Sequence, residues 1–352
     1  FVWTGGNASR QKGGFLNYEA TLNFDAKVWE DIHFFHELQT IRLGDENTKF
    51  VRTGEVYVML KDVFKTLFDA EGRKVGAKIG RMDIPFGEDY LTQDVIDNPL
   101  ITLAAAYPYG WDEGLVFYSQ NEKLNWIAAV MDGTDTRGSD DTNDKFLSLK
   151  LYGNATERLY LSGSIMRSGR TSESAWEFGG SHIVPVGSGG LNSALGRSGS
   201  GSVNAYSYEL DAQYNLGTDR YLKGQFGYAF LDDDNSEFDR NIYYFRIEPK
   251  WNWGPRFSNK WYWAGRLSAV GTFNDDKGYA FDGKPFAGGK TAFGYDTEAL
   301  YRYALGLGFM PNPRTLIKME YSRDDFRLIR SSNKDGGSEG RDLIGIITTV
   351  KF

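Results

Sequence analysis

The chain has no cysteine, only 9 prolines and 3 histidines among 352 residues, and its longest apolar stretch runs over 100–107. Without cysteine it has no disulfide framework, thiolate zinc site, covalently attached c-type haem or cysteine nucleophile. That absence also fits an oxidising envelope compartment. The apolar stretch is far short of the ~20 residues of a spanning helix, and a mean hydropathy of −0.47 excludes a bundle of membrane helices. No excess of positive charge is present: 40 Lys and Arg face 47 Asp and Glu, a net charge of −7. Phosphate neutralisation needs a basic face, so general nucleic-acid binding is excluded. The chain opens at Phe1 within what reads as mature sequence, so an export signal or preceding domain is expected to have been removed.

What is abundant is aromatic (15%) and glycine (42 residues). So much aromatic and β-branched material with so little proline argues against disorder. The dominant pattern is alternation. Leu159, Leu161, Gly163 and Ile165 fall on one face and Arg158, Tyr160, Ser162 and Ser164 on the other. Tyr206, Tyr208, Leu210, Ala212 and Tyr214 likewise oppose Ser207, Glu209, Asp211 and Gln213, and Tyr243, Phe245 and Ile247 oppose Tyr244, Arg246, Glu248 and Lys250. Period-two alternation means strands whose faces meet different media. It predicts strands near 14–24, 31–43, 51–61, 73–82, 113–120, 123–132, 145–153, 158–168, 203–215, 220–231, 240–251, 259–272, 295–309, 314–328 and 341–352. A short apolar start at Phe1-Val2-Trp3 adds one more.

Connections alternate between short turns (120–123, 153–157, 216–219, 311–314) and long polar segments (134–144, 169–202, 274–294, 331–340). Short turns on one side and long loops on the other are the signature of an outer-membrane barrel. Parity then requires an ascending strand before residue 14. Residues 1–5 supply it, and pairing with 348–352 closes the cylinder. The expected fold is an all-β transmembrane antiparallel barrel of sixteen strands, a single domain over 1–352. Fourteen or eighteen strands would follow from one misread hairpin. A soluble β-sandwich or β-helix would alternate too. Lipid is favoured by aromatics at the ends of the apolar faces (Trp251, Trp261, Trp263, Tyr301, Tyr303, Phe309, Phe230) and by charge at mid-strand on the opposite faces.

The third outer segment, 83–112, breaks the alternation with Ile84-Pro85-Phe86-Gly87-Glu88-Asp89-Tyr90 and Asn98-Pro99-Leu100-Ile101. Its Leu91, Val95, Ile96, Leu100 and Ile101 would be unfavourable in open water, and folding back into the barrel gives them a wall to pack on. Gly80-Arg81 at a strand end, Pro85-Phe86-Gly87, a long loop and a terminal Phe352 together resemble trimeric Gram-negative porins, especially the phosphate-selective porin O/P-like family. The resemblance implies an inward third loop that narrows the pore, and a homotrimer. It implies that Arg81 sits at the constriction facing Glu88, Asp89, Asp94 and Asp97. Alternation places Lys150, Arg158, Lys223, Arg246, Arg266, Arg302 and Lys318 on the lumen side, with Arg246, Arg266 and Arg302 assigned to the constriction. Lys78 also joins the lumen wall, although its parity opposes that of Arg81, so either a bulge between them or a wrong assignment of one of the two is expected. Cations opposite anions would set up a transverse field that sorts ions. The loop has no lysine, which argues against phosphate selectivity. A basic wall and an acidic loop leave the sign of ion preference open.

Other motifs carry less. A barrel hydrolase needs serine and histidine on one face with an orienting acid. His33 and His36 have opposite parity, and His182 beside Ser181 reads as a loop residue. The glycines of 179–190 lack the lysine and helix of a phosphate cradle. Asp232-Asp233-Asp234-Asn235 and Asp140-Asp141 read as solvated tips, or as loops holding divalent ions that bridge lipopolysaccharide. The expectation is therefore an outer-membrane porin passing small hydrophilic solutes and ions, without a cofactor or metal and without catalysis. Its partners are outer-membrane lipid and lipopolysaccharide, and not nucleic acid. The alternatives are an anion- or sugar-specific channel of the same fold, with Tyr90, Tyr107, Tyr109 and Trp111 as an aromatic slide, or a structural tether.

Overall fold

The computed structural model describes the chain except residues 1, 7–8, 15–18, 43–48, 69, 71–73, 93–96, 107–110, 133–143, 173–201, 218, 234–239, 255–259, 272–284, 287–289, 292–296, 329–337 and 351–352. Phe352 and Asp94 thus lie outside the described residues.

Alternating segments become strands wherever they were expected. They are β1 (Val2–Gly6), β2 (Ser9–Gly14), β3 (Glu19–Trp29), β4 (Ile32–Arg42), β5 (Lys49–Leu60), β6 (Val75–Asp83), β7 (Trp111–Ser119), β8 (Leu124–Met131), β9 (Phe146–Asn154) and β10 (Leu159–Ser172). They continue as β11 (Ser202–Gly217), β12 (Arg220–Asp233), β13 (Arg240–Asn252), β14 (Trp261–Gly271), the two-residue β15 (Pro285–Phe286) and β16 (Lys290–Thr291), β17 (Thr297–Asn312), β18 (Thr315–Leu328) and β19 (Ser338–Val350). An α-helix, α1 (Val63–Phe68), breaks a connection on the short-turn side, where no helix was expected. The Asp62 carboxylate caps it by accepting from the Lys65 amide at 3.0 Å.

Seventeen strands form one sheet, and β15 pairs only with β16. Every register is antiparallel. From β3 each strand pairs with the next in sequence up to β14, which pairs with β17; β18 and β19 follow. The N-terminal β1 pairs with both β2 and β19. Two expectations are corrected. The run expected at 14–24 is met by β3, displaced to Glu19–Trp29, and a further strand, β2, precedes it at Ser9–Gly14, so seventeen strands stand in the sheet where alternation predicts sixteen. The N-terminal strand meets 341–345 (Val2↔Gly345 to Gly6↔Arg341) rather than 348–352. It is short and abuts the start of β19, so it cannot reach that strand's far end.

The two faces are inverted relative to a water-soluble protein. On β9, Leu147, Leu149 and Leu151 are 43, 39 and 49% exposed, while Ser148 and Lys150 between them are 6 and 1% exposed. A soluble sandwich buries its apolar side and solvates its charges; this sheet does the reverse. Rings gather at both ends of the outer face. Near the short turns Trp253 stacks on Trp261 and Trp261 on Phe309; nearer the long loops Tyr208 stacks on Tyr228 and Tyr206 on Phe230. Two such belts are where amphipathic rings sit at membrane interfaces.

Candidate pore constriction

Residues 84–92 and 97–106, between β6 and β7, run along the inner face of the sheet rather than outward. Their first anchor is apolar. Ile84 and Phe86 pack with Met82 of β6, Val116 of β7, Met131 of β8 and Phe146 of β9. At the far side Leu100 packs with Tyr262, Ala264 and Leu316. Leu100 and Ile101 lie over Gly306 and Gly345, where an added Cβ would come within 2.6 and 3.2 Å of them. Glycine at these two wall positions makes the room. Each buried side chain of this size contributes about 1.5–3 kcal/mol.

The loop is irregular, so its backbone polar groups have no ladder partners and must find others. The inner wall supplies them. Ser148 donates to the Pro85 carbonyl (2.9 Å), and the Gly87 amide donates to Ser164 (3.0 Å). The Lys150 ammonium donates to the Gly87 carbonyl (2.5 Å) and pairs with Glu88 (2.8 Å), which also accepts from Tyr160 (2.6 Å). Asp89, fully buried, pairs with Arg246 and accepts from Gln225 (2.9 Å).

Across the lumen, Lys318 donates to the Asn98 and Leu100 carbonyls (2.9 and 2.8 Å) and Tyr262 to the Pro99 carbonyl (3.1 Å). Glu320 accepts from the Ile101 amide, the Thr102 amide (3.1 Å) and the Thr102 hydroxyl (2.5 Å). Arg266 donates to the Thr102 carbonyl (2.6 Å) and to Asn98 Oδ1 (2.8 Å) while paired with Glu248. Arg302 grips Asp324 with two bonds (2.6 and 2.7 Å) and donates to the Leu103 carbonyl (3.0 Å); the Ala105 amide donates to Ser268 (2.9 Å). The same loop is thus held by β9–β13 at one end and by β14–β18 at the other, so the sheet curves around it.

Gly87 is a close approach of the loop to the wall. Its φ is 64°, and an added Cβ would lie 1.9 Å from a Glu209 carboxylate oxygen. Only glycine meets both conditions. Tyr90 lies beneath Lys150 (4.8 Å from ring centroid to ammonium) and, with Leu103, packs against Trp111. Burial and the adjacent Glu88 push its phenol well above the ordinary tyrosine range.

The expected wall residues therefore divide. Lys150, Arg246, Arg266, Arg302 and Lys318 are buried on the inner face and clasp the loop. Lys223 is half-buried, its ammonium 4.9 Å from the Tyr221 ring centroid. Arg158 lies exposed in the turn before β10. Lys78 stands over the Tyr57 ring at 4.2 Å. No bulge separates it from Arg81: the registers of β6 with both neighbours run without a shift. Arg81 has the parity of the exposed Ile79. It is buried because its guanidinium pairs with Glu113 of β7 (2.8 Å), donates to the Gly54 carbonyl of β5 (3.0 Å) and lies 5.8 Å from the Trp111 ring. It ties β6 to β5 and β7, and Glu88 and Asp89, expected to face it, have Lys150 and Arg246 as partners instead. Asp97 is exposed. Of the aromatic-slide residues, Tyr107 and Tyr109 lie outside the described residues, and Trp111 is buried. Glu209, Asp211, Glu248, Glu320 and Asp324 also belong to the inner face; the alternation that marks the cations marks these acids equally.

One part of the wall is not covered. Residues 21–30, comprising most of β3, are exposed on both faces. Leu22, Phe24 and Val28 point outward, and Asn23, Asp25 and Lys27 carry the opposite parity. Across from them Phe35 stacks on Tyr57, and His33 lies 3.3 Å from Asp25.

No family model and no curated protein matches the chain. Among solved structures it is similar to OmpT, an outer membrane protein of Vibrio cholerae, with 10% identity over 99% of this chain and 94% of that one and a TM-score of 0.59. It is similar to Salmonella typhi OmpF at 12% identity over 99% and 94% of the chains, with a TM-score of 0.56. It also resembles the outer membrane channel DcaP of Acinetobacter baumannii, at 9% identity over 95% and 84%, with a TM-score of 0.55. At such identities the likeness is one of fold: the chain has the antiparallel β-barrel fold of bacterial outer-membrane proteins.

Proposed function

We propose that the chain is an outer-membrane porin, one barrel domain over 1–352 whose segment 83–112 narrows a water-filled channel for passive diffusion of small hydrophilic solutes and ions. The observation that carries this reading is the unequal filling of the inner face. The loop is fastened to β9–β18, while the polar side of 21–30 stays exposed, and the water path runs between them. The five clasping cations act as scaffold for the constriction, and Asp25 and Lys27 border the path. A closed plug would leave no such polar strip.

The exposed apolar side of β3 and β4, with His36 between Phe24 and Phe34 (6.3 Å from each ring centroid), is the face we assign to packing between the subunits of a homotrimer. A trimer form of Vibrio cholerae OmpT, 12% identical with a TM-score of 0.57, supports that assignment. Catalysis is not part of the proposal. Among the described residues His33 has an acid but no serine beside it, and His36 faces away from the lumen.

Reconstitution in a planar bilayer tests the function. Stepwise, ohmic current in potassium chloride is expected, and the reversal potential in a salt gradient gives the sign of its selectivity. Insertion without current would leave a structural tether as the reading. Specificity for one solute class is favoured by a cavity beside the loop.

A further inference from the structure

On the short-turn side of the loop, the inner face of β10–β13 encloses a cavity of about 390 Å³ lined by Glu88, Leu91, Tyr160, Asp211, Lys223 and Arg246. Its lining reaches Asn154 and Asn215, near the short-turn ends of β9 and β11. Elsewhere on this wall the charged groups Lys150, Arg266, Arg302, Lys318 and Glu320 are matched by the loop. Here the buried groups are not. Asp211 Oδ2, Glu209 Oε1 and Gln225 Oε1 are buried acceptors without a partner, and Arg246 Nε is a buried donor without one. Asp211 is 7% and Glu209 1% exposed. Lys223 has no ion-pair partner among the described residues and rests only on the Tyr221 ring.

Each unmatched group of this kind costs about 1–3 kcal/mol, more when charged. That penalty is relieved when a ligand supplies the missing halves. The missing halves are of both signs. Neither buried Glu209 nor buried Asp211 has a cation in ion-pair contact among the described residues, and the guanidinium beside them, Arg246, is paired with Asp89. The Lys223 end offers an ammonium whose cross-strand neighbour, Glu248, is already paired with Arg266. The registers Asp211↔Gln225 and Gln213↔Lys223 make Asp211 and Lys223 diagonal neighbours on one face, about 7–8 Å apart at the backbone. A ligand of one charge would satisfy one end and leave the other unmatched.

We propose that this cavity is a subsite for a small zwitterionic solute, its ammonium end held by Asp211 and its carboxylate end by Lys223. The proposal rests on the channel reading and deepens it. It names the solute class that dwells in the pore, that of free amino acids and very short peptides.

The test uses diglycine as probe, with N-acetylglycine, glycinamide and glucose as anionic, cationic and neutral controls of similar size. In bilayers, diglycine is expected to cause concentration-dependent, saturable block that none of the controls matches. Asp211→Asn and Lys223→Gln should each raise the half-blocking concentration about tenfold, equivalent to ~1.4 kcal/mol, and the current each variant passes shows that it has folded. Block by diglycine no stronger than by glucose overturns the proposal, as does equal block by either singly charged control. Calorimetry on the detergent-solubilised protein separates the two readings: saturable diglycine binding without any bilayer current would uphold the subsite and sink the channel.

Discussion

The inner surface is built in two manners. Under the loop, from β9 to β18, most charged side chains are buried and fastened to a loop carbonyl, a loop amide or an opposite charge, with Glu209, Asp211 and Lys223 around the cavity as the exceptions. Along 21–30 the same kinds of side chain, Asp25 and Lys27, are exposed, and the Asp25 side chain retains 68% of its surface. The difference teaches that a charge on a lumen wall can serve two separate ends. Matched against an irregular backbone it works as structure, because in a low-dielectric contact an unmatched partner is severely penalised. Left in water it adds little to stability, and on the proposed channel reading it is the kind of charge that acts on passing ions.

Four substitutions test that division. The largest effect is expected at Arg266, which joins Glu248, Asn98 and the Thr102 carbonyl. Arg266→Ala strands a buried carboxylate and should lower unfolding stability by about 3–5 kcal/mol, read by denaturant titration in detergent. Single-channel conductance should rise as the far end of the loop loosens, and an unaltered unfolding midpoint would remove Arg266 from the clasp. Next comes Glu320→Gln, which removes the charge from the acceptor of the Ile101 and Thr102 amides. A loss of about 1.5–3 kcal/mol is expected, and faster amide hydrogen exchange at those two residues should accompany it. Gly87→Ala combines a φ of 64° with a collision against Glu209. It should destabilise by about 1–3 kcal/mol, and the Lys150–Glu88 contact should shift with it, which a crystal structure of the variant would reveal. The smallest stability effect is expected at Asp25→Asn, below about 0.5 kcal/mol. The reversal potential in a potassium chloride gradient should nevertheless move toward anion preference. If Asp25→Asn leaves that potential fixed while Arg266→Ala moves it, the assignment of scaffold and path is reversed.

Much of this was readable from residue order. Leu100 and Ile101 in a long connection demanded an apolar seat, and they have one over Gly306 and Gly345. Lys150 between Leu149 and Leu151 had to face away from lipid. The acids were harder. Glu248, Glu320 and Asp324 stand on the same parity as Arg246, Lys318 and Ser322, yet only a loop in place shows why both signs line one wall. Arg81 was assigned loop carboxylates by resemblance, and Glu113 and the Gly54 carbonyl hold it instead, because its parity turns it from the lumen toward its neighbouring strands.

Which side of the sheet each residue takes is a local matter, set by a backbone that turns its side chains over at every step, so residue order alone determined the all-β architecture, the lipid face and the inward cations. What each inward charge touches is not local. Lys318 reaches Asn98 and Arg266 reaches Thr102 across separations of 220 and 164 residues, and only the curvature of the sheet around the loop brought them together. Tertiary structure therefore decided which charges are mortar and which line the water.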